Sequence, residues 1–168
     1  MPTNIRKYLL VSILIVILFI CPGCVEETQN NESDTTYTSD IAASPQQYTM
    51  FINKEIEPLT NHLVTQMGLA DKVSAGEYPV QDALTSVQSA ISAIEESIRQ
   101  VDITLPPANY MTLRTDVLQA MVNAKDTLET YENELKQPFL NKDNIEKLRD
   151  VMEGDFTVLT GLYNVYHE

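Results

Sequence analysis

The chain has 168 residues, with 11 basic and 24 acidic side chains, a formal net charge of −13 and only two cysteines. That length allows one domain with appendages. The negative balance repels phosphate backbones and anionic headgroups, which argues against a nucleic-acid partner, and two cysteines cannot supply a disulfide framework.

The first element in chain order is a basic start, Arg6 and Lys7, followed by the uncharged run "YLLVSILIVILFIC" from Tyr8 to Cys21. A basic n-region before a short apolar stretch predicts a secretory signal or membrane anchor over residues 1–23. The run is shorter than the roughly 20 residues that comfortably span a bilayer. Taken on through Val25 it becomes long enough for an uncleaved anchor to remain an alternative. Either way the charge pattern predicts that Arg6 and Lys7 stay in the cytoplasm and that the chain after residue 25 lies outside, at the outer face of the cytoplasmic membrane or in the cell envelope.

The two cysteines, Cys21 and Cys24, stand as C-x-x-C within "FICPGCVEE". A thioredoxin-like redox site needs a βαβ surrounding, and a structural zinc site needs four ligands. Neither is present in the sequence. Cys24 instead follows a glycine at the end of an apolar run and leads into "VEETQNNESD". Cys24 is therefore the expected lipid-attachment residue, with the membrane as its partner. Loss of Arg6 and Lys7 with the leader would leave 9 basic against 24 acidic residues, a net of −15.

Residues 24–44 are polar and acidic, too poor in apolar side chains to offset the entropy of ordering, and are read as a flexible tether. Its reach as a coil would be roughly 25 Å. One glycosylation sequon, Asn31-Glu32-Ser33, falls within it.

From residue 45 onward every signal is helical. Ser44, Pro45 and Gln47 form a capping box at the head of a first helix carrying Ile52, Ile56, Leu59, Leu63 and Met67. Pro58 predicts a kink near residues 54–58, or a split that would raise the helix count to five. Gly76 is the expected terminator. The second helix has a heptad seam of Val80, Leu84, Val87, Ile91, Ile94, Ile98 and Val101, flanked by small residues such as Ser86, Ala90 and Ser97.

"LPPANY" restarts the chain, and Val117, Met121, Ala124, Leu128, Tyr131 and Leu135 form the third stripe. After Pro138, Asp143 with Glu146 is expected to cap a fourth helix bearing Ile145, Leu148, Met152, Phe156, Leu159, Tyr163 and Tyr166. Gly154 and Gly161 share one of its faces and suggest a close packing contact or local flexibility. Four long helices with short connections predict an all-α, antiparallel up-down-up-down four-helix bundle over residues 45–168.

The phrase "LPPANYMTLRTDVLQAMVNAKDTLETYENEL", with its proline start, early tyrosine and regular stripe, is similar to a helix of exported helical-bundle lipoproteins of bacteria and archaea. The tether after Gly23 and Cys24 resembles theirs too, since those residues match the last two positions of a lipobox. Cys21 and Pro22 depart from it. The resemblance implies location and fold; members of that group mostly have no assigned activity.

No motif places a nucleophile, a zinc ion or a phosphate, so the chain reads as non-enzymatic, with no catalytic or metal-binding residues and no cofactor. His62 and His167 lack the Glu-x-x-His partner of di-iron bundles, and Met50 with His167 is a poor prospect for haem. Asp143, Glu146, Asp150 and Glu153 read as a solvated face before a cation site. Tyr110, Tyr131, Tyr163 and Tyr166 read as packing or as the wall of a binding surface. A surface-displayed binding or structural module, its protein partner unidentified, is the leading expectation. A membrane-anchored sensor-type domain for a small ligand or cation is the alternative.

Overall fold

The computed structural model describes residues 44–165, which belong to one compact unit. The leader or anchor of residues 1–23, Cys24, Asn31, the tether up to residue 43, Tyr166 and His167 lie outside them. The described residues form an all-helical bundle without strands. Its elements are α1 (Pro45–Ala75), α2 (Val80–Ile103), a 3₁₀ turn (Ala108–Tyr110), α3 (Met111–Leu135) and α4 (Lys142–Val165).

The start of α1 follows from its capping chemistry. The Ser44 hydroxyl accepts the Gln47 backbone N–H at 3.3 Å, and the Gln47 side-chain oxygen accepts the Ser44 N–H at 3.0 Å. Two of the donors that a helix start leaves without partners are thereby satisfied. Pro58 does not divide the helix: α1 is one element of 31 residues. Pro58 and Lys54 are both exposed, so water can serve the carbonyl that the missing N–H leaves behind. Gly76 ends the helix in the left-handed conformation, φ 76°, where a side chain would be strained.

The fourth helix begins differently from expectation. Its cap is Asn141, whose side-chain oxygen accepts the Asn144 N–H at 3.3 Å while its carbonyl accepts that of Ile145. Asp143 lies inside the first turn, where its charge complements the helix dipole instead.

Each helix packs on the next, and α4 closes back on α1. Cross-helix bonds give the directions. Arg114, near the start of α3, donates to the Val101 carbonyl (3.3 Å) and to Asp102 Oδ1 (2.7 Å) at the end of α2. Gln88, early in α2, donates to Glu132, late in α3. Ser74, at the end of α1, donates to Glu146, at the start of α4, at 2.8 Å. In each of these two pairs the late turns of one helix lie beside the early turns of the other.

The core holds the predicted stripes of α1 and α3 almost intact. Ile52, Ile56, Leu59 and Leu63 are buried, as are all six residues predicted for α3, whereas Met67 is only half-buried. In α2 the inward face is rotated from the predicted seam. Val87, Ile94 and Val101 are buried, but Ala83, Ala90 and Ser97 occupy the other inner positions, and Leu84, Ile91 and Ile98 flank them half-buried. Small side chains at the centre let the neighbouring helices approach closely. The branched residues then cover the seam from the side, still removing apolar surface from water.

In α4, Ile145, Met152 and Leu159 are buried and Leu148, Phe156 and Tyr163 pack against the core. Gly154 and Gly161 make no close contact: a Cβ at either would meet nothing within 4 Å. They lie on the open side of α4, beside exposed Val151 and Val158.

Candidate functional site

Where α1 and α4 face each other, the two halves of the seam differ. In one half the last turns of α1 are tied to the first turns of α4. Ser74 bonds Glu146, and Asp71 approaches the Arg149 guanidinium at 3.6 Å. In the other half α1 presents Thr60, Asn61 and Val64, and α4 presents Thr160 and Asn164. These side chains are too short to fill the space between the helices. A groove of about 400 Å³ results, with Ile56 and Phe156 in its floor and Glu57 and Tyr163 completing the walls. That volume lies within the range of small-molecule sites.

The polar groups of the groove are partly committed. The Thr60 hydroxyl donates to the Glu57 carbonyl and the Thr160 hydroxyl to that of Phe156, each at 2.8 Å. Each hydroxyl oxygen keeps the capacity to accept, while Asn61 and Asn164 add amides that both donate and accept. Glu57 is the one ionisable carboxylate in the lining, and no lysine or arginine lines it. An apolar floor, amide and hydroxyl walls and one negative charge suit a neutral or cationic amphipathic guest. The lining contains no serine, cysteine or histidine.

A second polar feature joins α3 to α4. Thr127, buried, donates to Asp155 Oδ2 at 2.7 Å, and burial pushes the Asp155 carboxyl above its usual range, opposed by that hydrogen bond. Glu96, by contrast, is exposed and held down to about 2 by hydrogen bonds from Arg99 and Gln100. Elsewhere in the interior, Gln66 Nε2 donates to the Ser86 hydroxyl at 2.8 Å while Gln66 Oε1 has no partner. The hydroxyls of Tyr48 and Tyr131 are buried without hydrogen-bond partners, and desolvation raises each to about 12.

The residues singled out in the sequence separate accordingly. Tyr163 stands in the groove wall, Tyr131 in the core, and Tyr110 against the Tyr48 ring, edge-on at 5.9 Å. His62 is half-buried on α1 beside the groove but does not line it, and Met50 is 72% exposed near the start of α1. Three of the four acidic residues singled out on α4 are engaged: Arg149 pairs with Asp150 and Glu153, and Glu146 with Ser74. Among the described residues no group of three or more histidine, cysteine or acidic side chains is placed to hold a metal ion. Nor is any helix among them long and apolar enough to cross a membrane.

Sequence reasoning missed Thr60, Asn61, Thr160 and Asn164. Their one signal is small polar residues next to the stripe on two helices, which becomes a groove only once those helices are neighbours. Comparison with protein-family models, with curated proteins and with solved structures found no match to this chain.

Proposed function

We propose that the chain is an extracytoplasmic binding module: an up-down-up-down four-helix bundle held at the membrane surface by a lipid on Cys24 and a polar tether, taking an amphipathic guest between α1 and α4. The observation that carries the binding reading is the groove itself, whose apolar floor and amide walls match the composition of ligand sites. The anchoring reading is supported by Arg6 and Lys7, the apolar run to Cys21, and Gly23 before Cys24. The likeness to exported helical-bundle lipoproteins points the same way. Binding is favoured over catalysis because both threonine hydroxyls of the groove donate to backbone carbonyls and no histidine, lysine or cysteine lines it beside them.

Two measurements test this. Intact-mass analysis of the membrane fraction should find a diacylated chain beginning at Cys24; a full-length unmodified chain would replace the lipid with an uncleaved N-terminal anchor. A thermal-shift screen of neutral and cationic amphiphiles should give guests that stabilise the parent chain and lose that effect in Thr160→Trp, which fills the groove. Stabilisation that persists in Thr160→Trp, or its absence for every guest, removes the binding reading.

A further inference from the structure

The end of the bundle at which α1 begins is unusually apolar. Ile103 and Leu105, at the end of α2 and just after it, are 53% and 52% exposed, and Met111, at the start of α3, is 54% exposed. Met50, in the second turn of α1, belongs to the same end: the neighbouring Tyr48 ring meets Tyr110 in the turn before α3. The hairpin carrying three of these residues is pinned by Arg114, which donates to the Val101 and Asp102 carbonyls. These side chains are thus displayed on a fixed support. At the opposite end, between α3 and α4, Phe139 stands exposed by itself.

Ser44, the first described residue, caps α1 at this same apolar end, so the 43 residues before it leave from there. We infer that this end of the bundle seats on the lipid surface, with Leu105, Ile103, Met111 and Met50 entering the interfacial layer. The inference rests on the membrane-anchoring reading of the N-terminal segment. Anchoring by the residues that precede Ser44 holds this end nearer the bilayer than the opposite end. A tether with a mean reach of roughly 25 Å raises the effective concentration enough for a few apolar side chains to hold the domain there. Their insertion resembles that of interfacial apolar residues, which sink about 5–10 Å into the headgroup boundary. The charges beside Ile103 are Asp102 and its partner Arg114, which cancel, so the surface it suits is zwitterionic.

The chain contains no tryptophan, so one introduced residue reports alone. Leu105→Trp, Met111→Trp and, as the opposite-end control, Phe139→Trp are made in the full chain and reconstituted with phosphatidylcholine vesicles carrying brominated acyl chains. All should float with the vesicles, and emission of Leu105→Trp and Met111→Trp should fall by roughly half or more while Phe139→Trp is unchanged, as expected of aromatic rings at the interface. Floating protein in which neither apolar-end reporter is quenched, or in which Phe139→Trp is quenched equally, overturns the seating and leaves the anchoring intact. Protein that fails to float overturns both.

Discussion

Thr127 holds Asp155 from across the α3–α4 seam, and its single hydroxyl proton has two claimants: Asp155 Oδ2 at 2.7 Å and the Asn123 carbonyl at 3.1 Å. With Asp155 ionised, the proton is drawn to the carboxylate. With Asp155 protonated, the acid can donate to Thr127 and Thr127 to Asn123, so every partner is satisfied. Burial raises the Asp155 carboxyl for the same reason: its charged form is the one the site desolvates.

The sign of the pH effect follows. A carboxyl whose folded pKa is raised contributes stability that is complete below its unfolded value, about 4, and is lost as pH rises through the folded value. Asp155→Asn should therefore flatten this part of the stability profile. Thermal melts between pH 4 and pH 7 should show a smaller decline for the variant than for the parent, and an equal decline would assign the effect to other groups.

Tyr131 and Tyr48 make an analogous prediction at the alkaline end. Their hydroxyls are buried without partners, and their ionisation lies near pH 12, against about 10 when unfolded. The stability each contributes is present below pH 10 and is lost toward pH 12. Absorbance titration should show two of the eight tyrosines ionising only as the fold opens. Tyr131→Phe removes a desolvated hydroxyl and should be neutral or stabilising by about 1–3 kcal/mol. A loss in urea unfolding would mean that the hydroxyl holds a buried water.

Gln66 is satisfied at one end only, through Ser86. Replacing both partners by apolar groups, as Gln66→Met with Ser86→Ala, removes the orphaned acceptor and should leave stability equal or higher. Gln66→Met alone strands the half-buried Ser86 hydroxyl and should cost about 1 kcal/mol relative to the double variant. Chemical denaturation of the three chains measures the difference; a double variant less stable than either neighbour contradicts it.

Gly154 lies mid-helix and Gly161 near the last turn of α4, both with room for a methyl group. Gly154→Ala and Gly161→Ala should each stabilise by about 1 kcal/mol through helix propensity. One heptad separates them, about 10 Å, so the two gains should add. Destabilisation by either, in guanidinium titration, would reveal a partner on the exposed face of α4.

The helical periods of the sequence reach the fold because period is a property of one helix at a time. The α1 and α3 stripes are buried nearly as predicted, since large residues such as Ile56, Leu59, Leu63, Met121, Leu128 and Tyr131 mark most of their inner positions. The α2 seam is misread because Ala83, Ala90 and Ser97 look like flanking residues until two neighbours close around them. The cap of α4 shifts from Asp143 to Asn141 because both residue types cap well and only the backbone decides between them. The groove depends on which helices become adjacent, and Thr60 and Thr160, a hundred positions apart, carry no local sign of meeting.

Three of the four helix seams are closed by a short connection at one end. The α1–α4 seam has none; its contacts join residues such as Ser74 and Glu146, 72 positions apart. Closing it carries the largest chain-entropy cost, so in folding it should form last and on opening part first. The groove lies along this seam, beyond the Ser74 and Asp71 ties. A guest held there would act as a clasp: besides occupying a site, it would slow the first step by which the bundle comes apart, and its arrival and departure would keep time with that opening.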